Sequence, residues 1–195
     1  MMARIEHGSL LSLEAYARER NAFRARVIEH KKRRAVALGE HVTLQFEDEL
    51  TIRYQIQEML RIERIFEEAG IEGELDAYNP LVPDGSNLKA TMMIEYPDVA
   101  ERQRALAQLK GIEDRVWVQA GDAARVYAIA DEDLERENEE KTSAVHFLRF
   151  ELDAGMCKTL HGGAQLRIGV DHPHYQAAQV VAPPAVRDAL AADLA

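Results

Sequence analysis

The sequence lacks the features that define several classes of protein. A single cysteine, Cys157, excludes an intramolecular disulfide and agrees with a reducing compartment. No segment approaches the ~20 consecutive apolar residues that a membrane-spanning helix requires. The first twenty residues contain acids and no apolar core, so they resemble neither a secretory signal nor a transit peptide. We therefore expect a cytoplasmic protein with no membrane partner.

Basic residues are outnumbered by acidic ones, 24 to 34, which gives a formal charge of −10. This excess disfavours non-specific nucleic-acid binding by the molecule as a whole. A chain of 195 residues with 47% apolar residues can bury a sizeable core without a disulfide or a structural metal. We predict one domain over residues 1–195, of which residues 1–11 form a loosely attached leader.

Residues 41–70 form the most informative stretch. Val42, Leu44 and Phe46 alternate as in a half-buried strand, and an acidic turn at 47–49 leads into a helix that Gly70 closes. At about 100° per residue, Glu63 falls in the middle of the apolar side of this helix and points at the core. The other members of that side are Ile52, Ile56, Met59, Leu60 and Phe66.

A long helix is predicted before this stretch, capped by Ser12 and running to Leu38, where Gly39 ends it. Its packing side also carries four cations, Arg20, Arg24, Lys31 and Arg34. An unpaired buried charge costs several kcal/mol, so these groups must pair, reach water or hold a ligand.

The remaining pattern predicts strands at 87–96, 116–120, 126–129, 144–152 and 164–170. Asp98 caps a helix that reaches Lys110, and Pro183-Pro184 starts a terminal one. Residues 79–85 form a loop that could rim a pocket, and the charged run 131–141 is interpreted as a solvated loop. These elements indicate an α+β two-layer sandwich, with a mostly antiparallel sheet of about six strands, helices packed on one face, and room for one parallel crossover.

The charges on the two packing sides have two interpretations. In one, Glu63 pairs with an arginine and the other cations extend to solvent. In the other, one acid cannot neutralise four cations, and an anionic small molecule or an acidic partner protein occupies a basic inter-helix site. The predicted site consists of Arg20, Arg24, Lys31, Arg34, Gln55 and Glu63.

A second candidate site is a metal centre near the C-terminus. Cys157 and His161 are four apart on a predicted helix, and His172 and His174 are two apart in an extended segment. One sulfur and three imidazoles would suit zinc or iron, and Asp171 could orient His172. Such a protein would be a hydrolase or an oxidoreductase, with Glu58 or Glu63 as general base. The alternative is that Cys157 is an inert core residue.

Nucleic-acid binding through residues 24–34 is the least supported hypothesis, because Phe23 is the only nearby aromatic for a base to stack on. No Gly-x-Ser-x-Gly, Walker loop or dinucleotide fingerprint is present. A symmetric homodimer is a further expectation, because such dimers are common.

Residues 29–67, 74–96 and 170–175 resemble the DUF3501 family, bacterial proteins of about this length. The family's short signature, Phe-Glu-Asn, stands here as Phe46-Glu47-Asp48, which replaces a neutral amide with an acid. The resemblance implies a bacterial origin and an association with rubrerythrin-like di-iron proteins and iron–sulfur oxidoreductases, and hence with peroxide defence or electron transfer. It supplies no catalytic residues.

Overall fold

The computed structural model describes residues 4–195, apart from the side chains of residues 176–178. Within residues 4–195, six α-helices and nine β-strands follow one another, joined in places by short 3₁₀ turns. Their bounds are α1 Leu13–Lys31, β1 Ala35–Leu38, β2 Val42–Glu47, α2 Glu49–Glu63, α3 Glu68–Tyr78, β3 Asn87–Ile94, α4 Val99–Gln108, β4 Val116–Ala120, β5 Val126–Tyr127, β6 Ile129–Ala130, β7 Val145–Glu151, α5 Ala154–His161, β8 Leu166–His172, β9 Tyr175–Val181 and α6 Pro184–Ala191.

The first helix begins where the sequence predicts, with the Ser12 side chain accepting a hydrogen bond from the Ala15 amide. It ends at Lys31, however, and the predicted continuation to Leu38 is wrong. Residues 35–38 instead alternate between exposed and buried positions in β1. Gly39, at φ +72°, then turns the chain into the antiparallel strand β2.

The second helix starts at a capping box, in which Asp48 and Thr51 bond each other's backbone amides. It ends at Glu63 because Arg64 adopts a left-handed conformation at φ 58°, so the predicted helix up to Gly70 is wrong. Glu63 lies in the exposed last turn, and Phe66, beyond the break, is 73% exposed. The predicted core-facing carboxylate at Glu63 is therefore wrong as well.

The strands form two sheets, one of five in the order β1-β2-β3-β7-β6 and one of four in the order β5-β4-β8-β9. All strand pairs in the described part of the chain are antiparallel, so the α+β class and the antiparallel pairing are confirmed. The parallel crossover is wrong, and two sheets replace the predicted single one. Residues 126–130 divide between the sheets, and β9 was not predicted.

The main core contains the inward faces of both sheets together with residues of α4, α5 and α6. A second, smaller core lies around α2 and α3. Ile5 belongs to it with 1% of its surface exposed, and its amide donates to Asn79 Oδ1. Residues 4–11 therefore contact the helices more closely than the predicted leader over residues 1–11 implies, and residues 1–3 lie outside the described residues.

The opposite face of the five-stranded sheet carries polar residues, including Gln45, Glu47 and Thr91, and faces α2 and the end of α3. Among the described residues, no helix has the length and apolar character needed to cross a membrane.

Candidate functional site: a cleft between the sheet and the helices

Two adjoining cavities lie between the outer face of the five-stranded sheet and the helices. The first has a volume of about 320 Å³, and its polar lining is Lys31, Gln45, Glu47, Thr51, Gln55 and Thr91. The second has a volume of about 470 Å³, and its lining includes Met59, Glu74, Lys89, Glu132, Arg136 and Arg149. Tyr78, Leu81 and Phe147 line both, so the two cavities form one cleft with an apolar waist.

The floor of the cleft follows from strand register. Alternate residues of a strand share a face, and paired residues on neighbouring strands lie side by side. Thr91 pairs with Gln45 on one side and Phe147 on the other, and Lys89 pairs with Glu47 and Arg149. Two rows of three side chains from β2, β3 and β7 therefore form the floor.

Glu47 is held in this floor by two hydroxyl groups. Its carboxylate accepts hydrogen bonds from Thr51 Oγ1 at 2.5 Å and Thr91 Oγ1 at 2.7 Å, and the residue is 8% exposed. Two donors fix both carboxylate oxygens without neutralising the charge. Glu47 is therefore a positioned negative group in the wall of the first cavity.

The three signature residues have three separate roles. Phe46 is wholly buried in the main core, and Glu47 faces the cleft. Asp48 caps α2, lies 2.5 Å from His30 Nε2 and is 3.4 Å from Arg34 Nη1. The Asp48 pKa is lowered, because the charge of Arg34 and the bonds from Thr51 and His30 outweigh the opposing effect of burial. An asparagine could cap the helix in the same way, but only the acid pairs with Arg34.

Two lysines in the cleft make no hydrogen bond and no ion pair in the described part of the chain. Lys31 in the first cavity and Lys89 in the second are half-buried, and within residues 4–195 neither ammonium group has a hydrogen-bond or ion-pair partner. Burial, together with repulsion from Arg149, lowers the pKa of Lys89 against the opposing effect of nearby carboxylates, chiefly Glu132. Arg149 and Arg136 in the same cleft are paired with Glu132 and Asp133.

The predicted inter-helix anion site is only partly assembled. Lys31 and Gln55 line the cleft, whereas Arg24 and Glu63 are exposed to solvent. Arg20 forms an ion pair with Glu58 of α2. The helical periodicity of the sequence instead indicated Glu63 as the partner of an arginine. The hydrogen bonds from Arg20, with those from Tyr16 and Arg61, lower the pKa of Glu58 to about 2.

Arg34 is buried, with 2% of its surface exposed, and serves the fold. Its guanidinium donates to the carbonyl groups of Phe46, Glu47 and Ala189 and pairs with Asp193. Burial raises the pKa of Asp193 to about 6, against the opposing effect of Arg34. Arg34 thus ties the C-terminal helix to the start of α2 and has no donor left for a ligand.

The four predicted metal ligands do not form one group, although the rings of His172 and His174 lie 5.9 Å apart. His161 lies before β8, and its Nε2 donates to the Ala191 carbonyl oxygen at 2.8 Å. His172, at the far end of β8, has Nε2 2.9 Å from the Lys110 carbonyl, and a seven-residue strand spans roughly 20 Å. Cys157 is buried, and burial raises the pKa of its thiol.

Within the described residues, none of Cys157, His161, His172 and His174 belongs to a group of three ligand atoms close enough to share an ion. The structure does not assemble the predicted Cys/His metal centre from these residues. Asp171 does not orient His172 either, because it pairs with Arg125. The spacing of residues in the sequence predicts which side chains share one face of a helix or strand. It does not predict where those helices and strands lie relative to one another.

The basic run at 24–34 is not a continuous positive surface. Arg26 stacks on the ring of Phe23, Lys32 pairs with Glu29, and Arg34 is buried. Nucleic-acid binding through these residues stays the least supported of the predicted functions.

The cleft residues that the sequence did not reveal are Glu47, Thr51, Thr91 and Lys89. Glu47 belongs to the family signature at residues 46–48, which was the sequence feature that could have indicated a functional role for it. Thr91 and Lys89 are ordinary polar positions of an alternating strand. Their proximity depends on the pairing of β2 with β3, which is not encoded locally.

The fold and cleft define an α+β protein with two antiparallel sheets and a ligand-sized cavity outside the larger sheet. The chain matches the family described as "Protein of unknown function (DUF3501)" over residues 4–194 and belongs to that family. No curated protein matches the sequence significantly. A crystal structure of a novel protein of unknown function from Burkholderia pseudomallei K96243 is 62% identical, covers 98% of this chain and 99% of its own, and has a TM-score of 0.93.

Proposed function

We propose that this protein binds a small anionic molecule, a carboxylate or a phosphate, in the cleft. The observation that carries the proposal is the pair of half-buried lysines, Lys31 and Lys89, whose ammonium groups make no direct ion pair within residues 4–195, whereas the neighbouring arginines do. Taking an ammonium group partly out of water without a partner is unfavourable. A ligand carboxylate or phosphate would supply charge-assisted hydrogen bonds to it.

The rest of the cleft limits the kind of anion. Tyr78, Leu81 and Phe147 provide an apolar waist, and the Gln55 amide supplies neutral hydrogen-bonding groups. The fixed charge of Glu47 would repel an anion placed directly against it. The best match is a molecule with an apolar middle and an acidic end directed to one of the two lysines, with Glu47 favouring a neutral or positive group elsewhere.

The wider role follows the family resemblance: an accessory protein of the bacterial cytoplasm linked to redox chemistry or peroxide defence. An acidic redox partner, such as a rubrerythrin-like protein or an iron–sulfur oxidoreductase, stays a second prediction. The recessed position of the lysines favours a small molecule over a protein surface. A homodimer also stays a prediction, which light scattering on the purified protein would check.

The test is thermal unfolding of the purified protein with a panel of probes: inorganic phosphate, pyrophosphate, succinate, citrate and benzoate. Succinamide, the neutral analogue of succinate, controls for charge. A ligand at a hundred times its Kd stabilises the folded state by about 2.7 kcal/mol, which a melting curve detects. We expect at least one anion, and not succinamide, to raise the melting temperature.

Variants assign the effect to the cleft. Lys31→Met and Lys89→Met remove one ammonium each, and Lys158→Met removes an exposed lysine of α5 as the matched control. The shift should fall in one or both cleft variants and persist in Lys158→Met. Equal shifts in all three variants would place the anion elsewhere, and no shift with any probe would contradict binding of these anion classes.

A further inference from the structure

A buried cluster on the other side of the sheet is not explained by the cleft. His146 of β7 is fully buried and faces the main core. Asp131, directly after β6, lies 2.5 Å from its Nδ1 through Oδ2, and the other oxygen of Asp131 accepts from the Phe147 amide at 2.9 Å. Arg136 also pairs with Asp131 at 3.1 Å. The carboxylate is thus held firmly, and it fixes the orientation of the imidazole.

The second ring nitrogen of His146 faces a group of oxygens. Nε2 is 3.0 Å from Thr142 Oγ1, 3.0 Å from the Ser143 carbonyl oxygen and 3.9 Å from Glu113 Oε2. Glu113 comes from a 3₁₀ turn before β4 and is 8% exposed. The adjacent residues Thr142 and Ser143 and the distant Glu113 turn therefore converge on one nitrogen.

Glu113 is the anomaly in this cluster. Its Oε2 is buried and has no hydrogen-bond partner in the described part of the chain. Burial raises the pKa of this carboxyl group, despite the nearby His146. Buried polar atoms are nearly always bonded, so an unpartnered carboxylate oxygen directed at a histidine indicates a missing partner.

An imidazolium at His146 does not supply that partner. It would donate from Nδ1 to Asp131 and from Nε2 to the Ser143 carbonyl, but 3.9 Å is too long for a hydrogen bond to Glu113. A metal ion bridges such distances, because two ligands at about 2.1 Å and at right angles to each other lie about 3.0 Å apart. The two 3.0 Å separations around Nε2 are hydrogen bonds in the structure, and they also fit that arrangement.

We propose that Glu113, His146, Thr142 and Ser143 form a binding site for a divalent first-row transition metal. His146 Nε2 and Glu113 Oε2 supply the nitrogen and the anionic ligand, and the Thr142 hydroxyl and the Ser143 carbonyl supply neutral oxygens. Asp131 is a positioning residue that accepts from Nδ1 and sets the tautomer, as carboxylates commonly do for metal-bound histidines. Candidate ligand atoms of Glu113, Asp131 and His146 all lie within 4.8 Å of one another.

The ligand set and the burial define the kind of ion and its role. One imidazole with oxygen ligands suits Mn²⁺, Fe²⁺ or Zn²⁺, whereas Ca²⁺ and Mg²⁺ favour all-oxygen sites. A histidine with no exposed surface leaves no route for a substrate, so the ion would be structural. It would join the Glu113 turn to β7 and the residues just before it, and Asp131 would be connected to the ion through His146.

The test is metal uptake by the full chain after removal of metal with a chelator. The purified protein is titrated with Mn²⁺, Co²⁺ and Zn²⁺, and binding is followed by calorimetry and by the visible spectrum of Co²⁺. We expect one equivalent to bind. Glu113→Gln keeps the shape but removes the anionic ligand and should weaken binding most, and Asp131→Asn should weaken it by roughly 10–100-fold.

His161→Gln is the matched control, since it alters a histidine that lies outside the cluster, and it should bind as the unaltered chain does. The absence of stoichiometric uptake of all three ions by the unaltered protein would overturn the proposal. So would equal affinity in Glu113→Gln and His161→Gln. If Glu113→Gln does not fold, as judged by circular dichroism, the uptake by the unaltered chain and by Asp131→Asn decides.

Discussion

Arg20 binds Glu58 through two parallel hydrogen bonds, from Nε to Oε1 at 2.7 Å and from Nη2 to Oε2 at 2.9 Å. The hydroxyl of Tyr16 also donates to Oε1 of Glu58, at 2.6 Å. One carboxylate of α2 thus accepts from two residues of α1, which makes it the main polar connection between these helices.

Replacing Glu58 should destabilise the fold, whereas replacing Glu63, the acid that the sequence predicted to face the core, should not. We expect Glu58→Gln to lower the free energy of unfolding by about 1–3 kcal/mol, because hydrogen bonds to a charged group are lost. Glu63→Gln, at an exposed position of the same helix, should change it by less than about 0.5 kcal/mol. Urea unfolding measures both, and equal effects would contradict this account of the helix pair.

The same carboxylate makes stability depend on pH. Its pKa is about 2 in the folded protein and 4.5 in its ordinary state, so folding is favoured by the ionised form. The contribution is fully present above pH 4.5 and is lost as the pH falls towards 2. The difference in stability between the unaltered chain and Glu58→Gln should therefore shrink across that interval. A difference that stays constant would show that the charge of Glu58 is not responsible.

Arg34 should be among the least replaceable residues of the chain. Arg34→Met keeps the apolar stem but leaves Asp193 and three carbonyl groups without their donor. Removing one partner of a buried ion pair costs about 3–5 kcal/mol. Arg33→Met alters the exposed neighbour and should be nearly neutral. Chemical denaturation compares the two, and hydrogen exchange should show early loss of protection in α6 for Arg34→Met only.

Two glycines should respond to alanine in opposite directions. Gly39 has φ +72°, and a Cβ there would lie 2.7 Å from the Tyr175 hydroxyl oxygen, so Gly39→Ala should destabilise by about 1–2 kcal/mol or more. Gly73 lies inside α3 with nothing within 4 Å of an added Cβ, so Gly73→Ala should stabilise by about 0.5–1 kcal/mol. Thermal unfolding of both variants checks the contrast, and a neutral Gly39→Ala would contradict the described turn.

Local signals in the sequence predicted local structure well. The caps at Ser12 and Asp98 are where the pattern places them, and β2 and β4 match their predicted runs. The errors arise where a non-local contact decides. Arg64 adopts a left-handed conformation, which the sequence does not indicate because the residue is not a glycine. The helix therefore ends at Glu63, and Glu63 lies in solvent instead of the predicted core.

The candidate site was predicted only in part for the same reason. Lys31 and Gln55 were recognised as charged or polar residues on packing helices, and both line the cleft. Lys89 and Thr91 enter it through the register of three strands, which only tertiary structure defines. The contact between Asp131 and His146 could not be predicted either, because Asp131 lies in a charged run and His146 in a separate strand.

The most direct test of anion binding in the cleft is a titration followed by NMR of ¹³C-labelled methionine methyl groups. Met93 lines the first cavity and Met59 the second, while Met156 lies on α5 and serves as an internal control. The anion that raises the melting temperature most would be added stepwise. We predict saturable shifts of the Met93 signal, the Met59 signal or both, with Met156 unchanged and with the shifts lost in the Lys31→Met, Lys89→Met double variant. Shifts confined to Met156, or none at saturating anion, would contradict the proposed site.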